Sequence, residues 1–145
     1  MEVTVPTAIV ATVGLILIVL LGSLQMVAII RPKADWTVAN VYGGNPESTD
    51  PVAFFAFNQG WAWADAVFWA PLQIAGSVGM LMGERWGFVV ALVASVPFWY
   101  SAIPLFIWDR DLGSRRNTLG YWLTWAMFPA FGVVAGVYTA LRLLA

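Results

Sequence analysis

Residues 7–30 read TAIVATVGLILIVLLGSLQMVAII, twenty-four consecutive positions without a charged side chain. At about 1.5 Å of rise per residue this run is longer, as a helix, than the roughly 30 Å of a hydrocarbon core. Pro6 opens the run and Arg31-Pro32 closes it. A cleaved secretory signal would carry a basic start and an apolar stretch of only about 7 to 15 residues. Here Glu2 precedes a longer run, so the segment reads as a retained membrane helix.

Three further apolar runs follow, at about 60–82, 86–108 and 118–144. Gly83-Glu84-Arg85 is so short that the second and third spans must be antiparallel neighbours, and the polar stretch 109–117 turns the chain into the fourth. The pattern predicts an all-α, integral membrane, up-down-up-down four-helix bundle forming one domain over 1–145. The connection from Arg31 to Phe57 is the one long segment outside the spans. It mixes turn residues (Gly43-Gly44-Asn45-Pro46, Asp50-Pro51) with Trp36, Tyr42, Phe54, Phe55 and Phe57, which predicts an interfacial segment with rings at headgroup level. Arg31, Lys33, Arg110, Arg115 and Arg116 fall on one side and Arg85 and Arg142 on the other. That bias places the long connection in the cytoplasm and both termini on the opposite side.

Composition agrees with lipid as the solvent: 61% of the 145 residues are hydrophobic and 10% charged, against roughly 25% charged in soluble domains. Much chemistry is excluded. The chain has no Cys and no His, which removes disulfides, thiolate nucleophiles, Cys- or His-bound metal, bis-His haem and Ser-His-Asp catalysis. The single Lys33 lies beside Pro32, outside any span, so a retinal Schiff base within a helix is excluded. Net charge −1 without a basic run leaves no electrostatic case for nucleic acid. No metal and no cofactor is indicated.

Helices in lipid gain nothing apolar from meeting one another, so small residues must carry the packing. On an α-helical wheel Gly76, Gly79 and Gly83 fall near Asp65, Gly132 and Gly136 form a GxxxG in the fourth span, and Gly14 and Gln25 share a face of the first. These glycine faces serve packing inside the chain or, in the other reading, contacts with membrane partner subunits or a second copy. Pro71, Pro97, Pro104 and Pro129 interrupt three spans. Each frees a carbonyl one turn earlier, Val93 and Tyr100 in the third span, with Ser95, Tyr100 and Ser101 as nearby donors.

Of eight acidic residues, Asp65 alone falls inside a span. An intramembrane carboxylate costs about 2.5–3.5 kcal/mol at midplane on the mildest scale and by default marks a function. With a helix starting near Gly60 it would lie about 7 Å below the start, close to interfacial water. The topology gathers Asn58, Trp61, Trp69, Gln73, Tyr100, Trp108, Tyr121 and Trp125 toward the same half, with Gln25, Arg31 and Arg110 nearby, and leaves the opposite half apolar apart from groups such as Ser77 and Thr139.

Three readings of this constellation stand. Asp65 is a structural hub bonded to Arg31, Arg110 or the indoles of Trp61, Trp69 or Trp125. Or it fixes the polar end of a hydrophobic small molecule or lipid in an aromatic pocket lined by Asn58, Trp61, Trp69, Gln73, Tyr100, Trp108, Tyr121 and Trp125. Or it is catalytic, an acid/base group for isomerase-type chemistry on a lipid-like substrate, or a proton-coupled carrier. A lone carboxylate favours a non-catalytic role, as binding protein or as accessory subunit of a larger membrane complex.

Overall fold

The computed structural model describes residues 1–42, 50–104, 106–107 and 126–145. Among these the chain is helical throughout, with no strand. The elements are α1 (Val5–Ile30), α2 (Asp35–Asn40), α3 (Pro51–Ala64), a π-helical turn (Asp65–Trp69), α4 (Ala70–Leu81), α5 (Arg85–Tyr100) and α6 (Phe128–Leu144). α3, the π turn and α4 form one uninterrupted rod.

Local chemistry sets the ends. Thr4 caps α1, its hydroxyl accepting from Thr7 N–H, with Pro6 in the first turn. Asp50 accepts from Val52 N–H at 2.8 Å and Pro51 begins α3. The second long helix therefore starts nine residues before the expected Gly60, and Phe54, Phe55 and Phe57 sit on its first turns instead of in a connection. α4 ends at Gly83, whose φ of 74° suits glycine. Gly83 N–H bonds to Met80 O and Glu84 N–H to Gly79 O, a Schellman ending that reverses the chain into α5. The tight turn expected at 83–85 is thus present. The polar stretch 109–117 and the start of the fourth apolar run lie outside the described residues.

Neighbouring helices run antiparallel in chain order. α1 packs on α3 and α4, α4 on α5, and α5 on α6. Small residues make the contacts. A Cβ at Gly76 would stand 2.7 Å from Ala91 N, one at Gly79 2.6 Å from Gly87 Cα, and one at Gly132 2.9 Å from Ser95 O. The glycine faces of α4 and α6 are thus both taken up by α5 within this chain. Two apolar clusters fill the centre, one of Leu17, Ile18, Trp69, Phe98 and Phe128, the other of Ala11, Met80, Phe88 and Ala91.

Polar side chains share the interior with these clusters, and many large apolar ones face outward. Thr7, Asp65, Gln73, Ser77, Ser95 and Thr139 are buried, while Ile9, Ile16, Leu20, Phe68, Val78, Val93, Val134 and Leu141 point outward. Among the described residues two helical stretches are long and apolar enough to cross a bilayer: Val5–Ile30, mean hydropathy 2.7, and Arg85–Pro104, mean hydropathy 1.6. Only 22% and 39% of their most apolar stretches are buried, so neither is enclosed like the core helix of a soluble protein.

Candidate functional site

Asp65 opens the π turn and is 7% exposed. Pro71 accounts for the turn. A proline in a helix lacks an N–H and its ring collides with the carbonyl four residues earlier; widening the preceding turn relieves that collision, and Ala70 N–H reaches back five residues to Asp65 O. The wide turn holds one residue more than an α turn, so everything beyond it is rotated by about 100° from the α-helical expectation. That rotation decides which side chains meet. On an unbroken α-helix Gly76 would align with Asp65 and Gln73 would stand about 80° away; here Gln73 joins Asp65 on the face toward α1 and the glycines turn to α5. A Cβ on Gly14 of α1 would run into the Gln73 amide.

The partner of Asp65 is Gln25, whose Nε2 donates to Oδ2 at 2.8 Å. Gln25 lies on the inward stripe Thr7, Ala11, Gly14, Ile18 of α1, the first four of which are buried. Among the described residues no Arg, Lys or indole N–H bonds to the carboxyl. The expected pairing with Arg31, Trp61 or Trp69 is therefore replaced by a neutral amide; Arg31 is exposed at the end of α1.

The remaining expected residues divide. Trp61, half-buried one turn before Asp65, meets Phe57 edge-on at 6.2 Å. Trp69, buried one turn after it, packs edge-on against Phe98 at 4.5 Å and donates its indole N–H to Ala94 O at 2.9 Å. That bond supplies a donor beside the break made by Pro97, where a hydroxyl was expected to act; Ser95 instead bonds to Leu92 O of its own helix. Asn58 likewise bonds to its own helix, at Phe54 O. Gln73 is buried and donates to Ser77 Oγ at 3.0 Å, one layer deeper than Asp65. Tyr100 is 56% exposed, on the outside of α5, and does not join the site. Trp108, Tyr121, Trp125 and Arg110 lie outside the described residues.

The far half of the molecule is more polar than expected. Thr139 does bond to its own helix, at Ala135 O, but Thr4, Thr7 and Tyr138 form a hydroxyl cluster, with Thr7 Oγ1 and Tyr138 OH 2.5 Å apart. Arg142 donates to Glu2 O at 2.6 Å. Hydroxyls of this kind also satisfy their own backbones, so composition alone does not reveal them as bridges between helices.

At the Asp65 end the connection folds back onto the rod. Tyr42 donates to Ala28 O at 3.3 Å and meets Phe54 and Phe55 edge-on at 5.7 and 6.3 Å, and Lys33 Nζ lies 5.8 Å from the Phe55 ring centre. Burial raises the Tyr42 phenol above its ordinary pKa.

Set against known protein families, characterised proteins and solved structures, the chain matches none. Side-chain chemistry is what speaks for function here.

Proposed function

We propose that the chain is a polytopic membrane protein of four spans, with both termini on the non-cytoplasmic side, which binds a hydrophobic small molecule or lipid by its polar end at Asp65. Outward-facing aliphatic side chains on α1, α4, α5 and α6 and polar ones between the helices support lipid as the surrounding solvent. One observation carries the binding role. A buried carboxyl opens a widened turn and is held by a neutral amide, Gln25, instead of by a charged partner among the described residues. Trp61 and Trp69, one turn to either side, supply apolar area, and the carboxyl supplies hydrogen-bond acceptors for the donor end of a ligand.

Mass spectrometry of the detergent-purified protein tests this. A small molecule should copurify with the wild type and be lost from Asp65→Asn, while far-UV circular dichroism of the two stays the same. Copurifying membrane subunits with no small molecule would favour an accessory subunit instead. The wide π turn also supports a second reading, because such turns are frequent at functional sites: acid/base chemistry on a lipid-like substrate, or proton-coupled carriage, by the same carboxyl. In that case Asp65→Asn abolishes turnover or transport in a folded protein.

A further inference from the structure

We infer that the bundle opens sideways along the seam between α1 and α6, and that residues 1–4 are the latch that holds this seam shut. The latch is independent of what Asp65 binds.

The seams of the bundle are built differently. Across α4–α5 and α5–α6 backbone lies against backbone: a Cβ at Gly76 would stand 2.7 Å from Ala91 N, and one at Gly132 2.9 Å from Ser95 O. Helices seated this closely part only by unpacking both. α1 and α6 approach each other at few points, and there through the tips of long side chains. The Phe131 ring reaches Gly14, with Cζ 3.1 Å from the position of a Cβ there, and Tyr138 OH reaches the hydroxyls of Thr7 and Thr4, at 2.5 and 3.2 Å. Ring tips and hydroxyls withdraw without one backbone sliding past another. Behind this seam Gln73 and Ser77 are buried beside Gly14, so parting α1 from α6 uncovers polar groups of α4.

Residues 1–4 precede α1 and cross the end of the bundle. Thr4 is extended, with φ −88° and ψ 165°. The Met1 nitrogen donates to Gly83 O in the turn between α4 and α5, Arg142 of α6 donates to Glu2 O at 2.6 Å, and the Thr4 hydroxyl joins those of Thr7 and Tyr138. One short segment thus ties α1 both to the α4–α5 turn and to α6. These ties are hydrogen bonds, directional and individually modest, which suits a closure that is made and released. A seam with so little packing, held at its end by such bonds, belongs to the low-stability part of a structure, where local opening begins.

The test measures distances between pairs of spin labels in the purified protein, reconstituted into lipid nanodiscs. The chain has no cysteine, so paired replacements label without background. Ile9, Val78, Val93 and Val137 are exposed positions on α1, α4, α5 and α6. Ile9→Cys with Val137→Cys spans the α1–α6 seam. Ile9→Cys with Val78→Cys, and Val93→Cys with Val137→Cys, span neighbours that should stay shut. Tyr138→Phe combined with Arg142→Met removes the bonds of the latch and keeps side-chain size. In that background the ratio of long to short distances across α1–α6 should rise about tenfold, in keeping with the loss of two or three hydrogen bonds, while the other two pairs stay as in the wild type. Deleting Glu2 and Val3, which leaves every helical residue in place, should shift the same pair in the same direction. Circular dichroism checks that the variants fold, and Tyr138→Phe alone serves if the double substitution does not.

An α1–α6 distribution unchanged by the substitutions and by the deletion would overturn the inference. An equal change across α5–α6 would also overturn it, as general loosening, and so would an equal change across α1–α4, as departure of α1 from the bundle as a whole. A response to the substitutions without one to the deletion would take the latch role away from residues 1–4.

Discussion

Thr37 and Asp65 are both buried, and they differ in what they have found there. Asp65 holds Gln25, whereas the Thr37 hydroxyl, fully enclosed on the short helix α2, has no partner among the described residues. Thr37 sits in the first half of a six-residue helix, where no helical carbonyl four residues back exists for it to bond. An unsatisfied buried hydroxyl costs about 1–3 kcal/mol. Thr37→Val keeps the shape and removes the polar atom, so it should stabilise by about 1 kcal/mol and raise the melting midpoint in detergent by a few degrees; a lowered midpoint would show that the hydroxyl is used. Asp65 was legible at this scale because one carboxyl among apolar residues stands out. Its partner was not. Gln25 stood on the inward face of the first span, but a charged or indole partner was the stronger expectation, and which donor is within 3 Å depends on the rotation of two helices about their axes.

At the scale of the element the deciding feature is the π turn. Pro71 announced an interruption, but the form it takes, one wide turn in place of a kink, depends on how neighbours seat the rod, and that information is not local. The consequence was an error of face: the α-helical wheel aligned the glycines with the carboxyl, while in the structure they serve different neighbours. Their packing role itself was legible from GxxxG spacing. Gly79 and Gly87 stand against each other across the α4–α5 contact, whereas Gly22 faces open space. Gly79→Val should therefore destabilise by about 1–3 kcal/mol or more through overpacking of backbone on backbone, and Gly22→Val should stay within about 0.5 kcal/mol of the wild type. Thermal unfolding of the two variants in the same detergent checks this, and equal midpoints would contradict the close approach. The helix starting at Pro51 is a similar case. Asp50-Pro51 is a good helix-starting pair, yet the aromatic cluster after it read more strongly as an interfacial segment than as the first turns of a helix.

For the whole molecule, helical class and the tight turn between the second and third apolar runs followed directly from hydropathy and turn residues, because a long apolar run satisfies its backbone polar groups as a helix. Sidedness rests on a five-to-two bias of basic residues and is open to direct measurement. The chain has no cysteine, so single replacements report without background. In closed cells, Glu2→Cys and Ala145→Cys should react with an impermeant maleimide, and Lys33→Cys only after permeabilisation. Labelling of all three from outside would remove the four-span topology, and the reverse pattern would invert it. The wide turn at 65–69 carries one more consequence, for how this chain aligns with others. It takes up a surplus residue without disturbing the orientation of what lies on either side. A gene shorter by one codon within this stretch, and with another residue in place of the proline, would encode a plain α-helix with the same faces, whereas the same deletion elsewhere in the rod would swing all that follows by about 100°. A relative built on the unbroken helix should therefore align with this chain through a single gap, placed between 65 and 70.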